Sequence, residues 1–178
     1  NIMRTPTYSE DLFEVIGTNP GHVIATTACL GGYCGTKFAE KNYEAIERHL
    51  SMMEDLFGAE NFFIELQPSK QSDQLLYNKY MIDTYWNRYN FICTTDSHYL
   101  KKEDAGIHKI FLNSKSSGDR EVDSFYASAY MMSFEEIQGY FDESGLHDEF
   151  LIMVQNTLQI NNRVIGYNLK QGSIIPKI

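Results

Sequence analysis

The chain has 178 residues, 43% hydrophobic and 22% charged, with twelve Tyr and eleven Phe. That is enough apolar surface for one core of ordinary domain size, and it excludes a disordered tail or a charged linker. Fifteen Lys and Arg against twenty-four Asp and Glu give a net charge of -9, which argues against a free-standing nucleic-acid binder held by phosphate contacts. The three cysteines, Cys29, Cys34 and Cys93, are too few for a secreted disulfide scaffold and fit a reducing cytosol. No run approaches the roughly 18 apolar residues of a membrane span, so the expected location is cytoplasmic. The chain opens on Asn1 and not on Met, and the expectation is a piece of a longer protein.

In chain order, Thr7 and Glu10 are spaced as a capping box ahead of Leu12, Phe13 and Ile16, with Gly17 placed to end that helix. Residues 22–27 are β-rich and predict a first strand. From Tyr43, residues Ile46, His49, Leu50, Met53, Leu56 and Phe57 repeat at helical spacing up to Gly58, and residues 62–66 follow as a second strand. Ser72 or Asp73 caps a third helix carrying Leu76, Tyr80, Ile82, Tyr85, Trp86 and Tyr89, before a third strand at 91–95. This αβαβαβ order predicts an α/β fold, a parallel sheet with right-handed crossovers, either open or closed into a barrel. Function belongs at the C-terminal ends of such strands.

Past Leu100, residues 103–111 read as a helix, 114–123 as a polar surface loop and 126–132 as one more strand. Ser133 and Glu136 form a second capping box leading to Ile137, Tyr140 and Phe141, and residues 146–162 read as a longer amphipathic helix. The end of the tail, 172–178, has no period, and no internal repeat is present.

The strand ends hold the residues with chemistry. Cys29 follows the first strand, Glu65 lies within the second, and Asp96 and His98 follow the third. Carboxylate, imidazole and thiolate are competent ligands for zinc or manganese, and a carboxylate such as Glu65 can bridge two ions. Each has a plainer reading: Asp96 as a helix cap, Glu65 on a solvent-facing side of its strand, Cys29 as an inert buried thiol. Cys29 and Cys34 lack the second Cys or His pair of a zinc finger. His49 and His108 read as core or supporting residues, and His22 and His147 as exposed. Tyr77 to Tyr89 reads as a core stripe in preference to a base-stacking surface. The glycines at 31, 32 and 35 are a weak phosphate-loop signal, since no Lys-Ser/Thr pair follows.

Together, Val23 to Gly32, Asn61 to Gln67, Cys93 to Ala105, Tyr130 to Glu136, Gln155 to Ile160 and Ile175 to Ile178 resemble, in order and spacing, the PHP (polymerase and histidinol phosphatase) domain of bacterial DNA polymerase III alpha subunits. The resemblance implies part of a distorted seven-stranded, TIM-like β/α barrel with parallel strands and outer helices. It makes residues 1–178 a single domain, the later portion of a PHP domain. Segment 133–162 would close it and tail 163–178 would lead towards a polymerase palm. By motif matching it assigns Cys29, Glu65, Asp96 and His98 as metal ligands, for zinc or manganese. Two departures stand out. The family's opening His-x-His segment and its second Asp-His segment do not occur in this chain, and Ser69 follows Glu65-Leu66-Gln67 where the family commonly has His, which would remove a nitrogen ligand.

The function implied is that of a PHP fragment of a replicative polymerase, either structural or a vestigial or proofreading metal-dependent phosphoesterase. The parent would perform template-directed DNA synthesis with Mg²⁺ in its polymerase domain. Partners would be the remainder of the alpha subunit, with DNA reached through the parent. The alternatives are a free-standing PHP phosphoesterase acting on a small phosphate monoester, and a non-catalytic scaffold.

Overall fold

The computed structural model describes residues 8–18, 21–114, 126–164 and 166. Its centre is a parallel sheet of three strands, β1 (Ala25–Thr26), β2 (Phe62–Leu66) and β3 (Asn90–Cys93), in the order β1-β2-β3. Ala25 pairs with Phe62, and Ile64 with Phe91. Among the described residues the architecture is thus mixed α/β with one open sheet, and the seven-stranded closure implied by the resemblance is not among them.

Seven α-helices accompany the sheet among the described residues: α1 (Ser9–Thr18), α2 (Tyr33–Ala39), α3 (Tyr43–Phe57), α4 (Ser72–Tyr85), α5 (Ala105–Ser114), α6 (Phe134–Glu143) and α7 (His147–Arg163). Helix α3 begins where the Asn42 side chain accepts the Ala45 N–H at 3.2 Å, and it stops at Gly58, whose φ of 86° favours a residue without Cβ. The capping box of α6 is present: Ser133 Oγ accepts the Glu136 N–H, and the Glu136 carboxylate accepts the Ser133 N–H. The Ser133 N–H and the Tyr130 hydroxyl hold the Glu136 carboxyl below its ordinary range.

Strand side chains alternate between two faces. Phe62, Ile64 and Leu66 enter the main core with Phe91. There they join Ile46 and Leu50 of α3, Tyr77 and Met81 of α4, Phe141 of α6, and Phe150 and Met153 of α7. Phe63, Glu65 and Gln67 take the opposite face, outside that cluster. Helix α7 covers the outer edge of β3, and Asn156 donates its side-chain N–H to the Phe91 carbonyl at 2.8 Å. An edge carbonyl that would otherwise be open is satisfied in this way.

Several boundaries differ from expectation. The first strand is only Ala25–Thr26, not 22–27, because β2 starts at Phe62, opposite Ala25, and among the described residues 22–24 have no neighbouring strand to pair with. The third ends at Cys93 and not at 95, since Asp96 turns left-handed at φ 46°. Helix α4 ends at Tyr85, and Leu76, expected on its buried stripe, is 59% exposed; Gln74 and Asn78 are buried instead. Helix α2 was not anticipated, because Gly35 within a seven-residue segment weakens any helical signal. The helix expected at 103–111 starts with a 3-10 turn, Lys102–Asp104. The strand expected at 126–132 is reduced to one parallel bridge between Tyr99 and Tyr130. Helix α1 runs one residue past Gly17, to Thr18. Its expected cap Thr7 lies outside the described residues, as do 115–125 of the polar loop and all of the tail except 163, 164 and 166. No described helix is long and apolar enough to cross a membrane.

Half-buried His49 on α3 stacks against Tyr33, with ring centroids 4.4 Å apart, and burial pushes its imidazole below the ordinary value. The fold therefore favours the neutral ring, and the unfolded chain binds more protons as pH drops through about 6.5. Stability should fall from pH 7 to pH 5. In thermal melts followed by circular dichroism, His49→Gln should show a smaller loss over that interval than the wild type.

Candidate functional site

The chain leaves β1 through a tight turn. The Gly32 N–H donates to the Cys29 carbonyl at 2.8 Å, and Ala28 adopts a left-handed φ of 60°. The turn is pressed against α2: a Cβ on Gly35 would lie 2.0 Å from the Leu30 carbonyl oxygen, and one on Gly32 would lie 3.0 Å from the carbonyl oxygens of Thr27 and Cys29. Left-handed backbone recurs at Asp96 after β3. Each outer strand is thus followed within three residues by a non-glycine residue of a sparsely populated conformation, at the sheet end where α/β proteins place their sites.

Glu65 stands between those strand ends on the middle strand. One carboxylate oxygen accepts the Thr26 hydroxyl at 2.6 Å; the other accepts the Thr94 hydroxyl and, at 3.3 Å, the Gln67 amide. Its backbone N–H donates to Thr27 Oγ1 at 2.9 Å. Behind this group the Tyr77 hydroxyl is buried beside Thr27 with no hydrogen bond of good geometry. Burial, followed by the nearby Cys34, raises its phenol above the ordinary range. Burial also pushes the Cys93 thiol up to about 12, with the charge of Glu65 adding to the effect, and the Cys34 thiol up to about 12. Those two sulfurs stay protonated at neutral pH and are poor nucleophiles or ligands.

A cleft of about 100 Å³ opens beside this group, with Gln67, Ser69, Asp73, Gln74, Asp96 and Tyr126 in its wall. It is smaller than the usual small-molecule site of roughly 300 Å³ or more, and two carboxylates in the wall disfavour an anion. The wall is ordered by a chain of amides, in which Gln74 donates to Asn78 Oδ1 at 2.8 Å and Asn78 donates to the Gln67 carbonyl at 2.9 Å. Ser69 Oγ accepts the Gln71 N–H at 3.0 Å.

Next to the cleft, His98 Nδ1–H donates to the Asp96 carbonyl at 2.6 Å. A carbonyl only accepts, so the free lone pair of the neutral ring is on Nε2. The ring lies 4.9 Å from that of Tyr126 and 5.5 Å from that of His108. Buried His108 is held below its ordinary value, first by desolvation and then by His98.

The structure brings the sequence candidates to one end of the sheet but not to one point. Asp96 lines the cleft, Glu65 lies behind Gln67, exposed His98 sits at the side, and Cys29 belongs to the β1 turn. Among the described residues, no three His, Cys, Asp or Glu side chains are grouped to hold a metal ion. Both Glu65 oxygens accept hydroxyl or amide donors, and the described residues do not gather the four candidates into one zinc or manganese site. Sequence reasoning missed Thr26, Gln67, Thr94 and Tyr77. The available signal was that both outer segments expected as strands, 22–27 and 91–95, close on Thr-Thr around a middle strand that carries Glu65.

No protein-family model matches the chain. It is 37% identical over 194 residues to a probable DNA polymerase, YorL, of Bacillus subtilis (strain 168), and equally to the DNA-directed DNA polymerase of Bacillus phage SPbeta. Each match covers 98% of this chain and 14% of the relative. The DNA polymerase III subunit alpha of Saccharopolyspora erythraea is 28% identical over 162 residues, covering 86% of this chain and 13% of that protein. The chain therefore spans about one-seventh of the length of the curated relatives it matches, and all of these are DNA polymerases by name.

The close approach of Gly35 to Leu30 fixes the turn that carries Cys29, and its neighbour there is backbone that has nowhere to move. Gly35→Ala should destabilise the fold by about 2 kcal/mol or more, read as a lower Tm. Gly31→Ala, whose Cβ would meet only Cys29 Sγ at 3.7 Å, should change Tm little.

Proposed function

We propose that this chain is a PHP-type module of a DNA polymerase of the polymerase III alpha kind, whose part is to support the polymerase structurally and not to hydrolyse phosphate esters alone. The observation that carries this reading is the pattern of similarity: almost the whole chain is matched, yet by only a small part of each much longer polymerase. The parallel sheet with helical crossovers, and the cleft at its C-terminal end with Ser69 and Asp96 in its wall, accord with it. In this reading β1, β2 and β3 belong to a larger β/α barrel, and the open edge of β1 pairs with strands from another part of the polymerase. Nucleotide addition with Mg²⁺ belongs to parts of such a polymerase that the chain does not span. DNA is reached through those parts, since a net charge of -9 opposes direct contact with phosphates.

A domain exchange tests this. The chain replaces the matching segment of the Bacillus phage SPbeta polymerase, and primer extension with Mg²⁺ is compared with the recipient and with a version lacking the segment. The exchanged enzyme should extend primers within roughly tenfold of the recipient, and the deleted one should lose activity or solubility. An exchanged enzyme that folds but does not extend primers would overturn the module reading. Turnover of p-nitrophenyl phosphate by this chain alone with Mn²⁺, stopped by Asp96→Asn, would establish the free-standing phosphoesterase instead.

A further inference from the structure

The hydrogen bonds at Glu65 do more than satisfy one carboxylate. β1 contributes only two residues to the sheet, and the last backbone bonds at the strand ends run from the Thr27 N–H to the Phe63 carbonyl and from the Thr94 N–H to the Leu66 carbonyl. At this level, where the ladder stops, Thr26 from the β1 side and Thr94 from the β3 side both donate to the same carboxylate. Gln67 adds a third donor and links it to the amide chain of α4. Both carboxylate oxygens are thus engaged by donors, and no two further His, Cys, Asp or Glu side chains among the described residues stand with Glu65 to complete a cation site.

We infer that the Glu65 carboxylate is a structural tie that pins the ends of all three strands through hydroxyl and amide donors, in the place where a metal ion would otherwise gather them. The cleft then keeps its shape without an ion. Threonine suits this role: its β-branched side chain favours the strand, and its hydroxyl supplies the donor within side-chain reach of the middle strand. Charge-assisted bonds to a carboxylate are the stronger kind, and here they substitute for ladder bonds that the short β1 does not provide.

The test is made on the full 178-residue chain. Thermal unfolding is followed in EDTA and again with ZnCl₂ or MnCl₂, for the wild type, Thr26→Val, Thr94→Val, the double valine variant, Thr26→Ser, Thr94→Ser and Glu65→Gln. A tie predicts that the wild-type Tm is the same in chelator and metal. Each valine should lower Tm by about 3 °C or more, and the serines should stay near wild type. The two valines together should cost less than the sum of their separate effects, because both act on one carboxylate. Valine variants that melt with the wild type would overturn the tie. So would about one equivalent of zinc or manganese retained by the wild type through dialysis and lost in Glu65→Gln. Should a valine variant fail to fold, the serine variants and the wild-type metal measurement still decide the question.

Discussion

An ionised side chain on the middle strand of a sheet commits both neighbouring strands, because a carboxylate drawn partly out of water must be given donors. Glu65 takes them from Thr26 on one side, Thr94 on the other and Gln67 just past the end of its own strand. Much of the local architecture follows. The outer strands end within two residues of the carboxylate's register, and left-handed residues follow, Ala28 after β1 and Asp96 after β3. The strand ends that flank the cleft are therefore tied to one polar group.

The opposite face of the sheet is held by different forces. Phe62, Ile64, Leu66 and Phe91 are buried among α3, α4, α6 and α7, and packing alone specifies that side. Helix α4 serves both faces. Tyr77 and Met81 enter the core, while Gln74 in the cleft wall donates to Asn78 and Asn78 donates to the Gln67 carbonyl. Buried amides on a helix are costly unless every member of the network is matched, and the matched chain makes the position of the cleft wall dependent on the core.

A module held in this way suits the place that the similarity to polymerases suggests for it. In the proposed reading, a segment similar to about one-seventh of a long polymerase has to be a dependable shape before it is anything else. A hydrogen-bonded carboxylate gives such a shape at any metal concentration, whereas an ion-held site couples the fold to metal supply and pH.

The sequence by itself determined the elements with strong local signals. Helix α3 runs from Tyr43 and stops at Gly58, α6 starts at the reciprocal cap of Ser133 and Glu136, and β2 is a short apolar run between Asn61 and Gln67. It also located the sheet end at which Cys29, Glu65, Asp96 and His98 lie. Those features depend on residues a few positions apart, where backbone geometry alone sets who meets whom. Tertiary structure decided the rest. That β1 shrinks to Ala25–Thr26 depends on where β2 begins, and that Leu76 is exposed while Gln74 is buried depends on what α4 packs against. Above all, the partners of Glu65 are Thr26, 39 residues before it, and Thr94, 29 residues after it. No periodicity encodes such a meeting, because it exists only once three strands lie side by side in register.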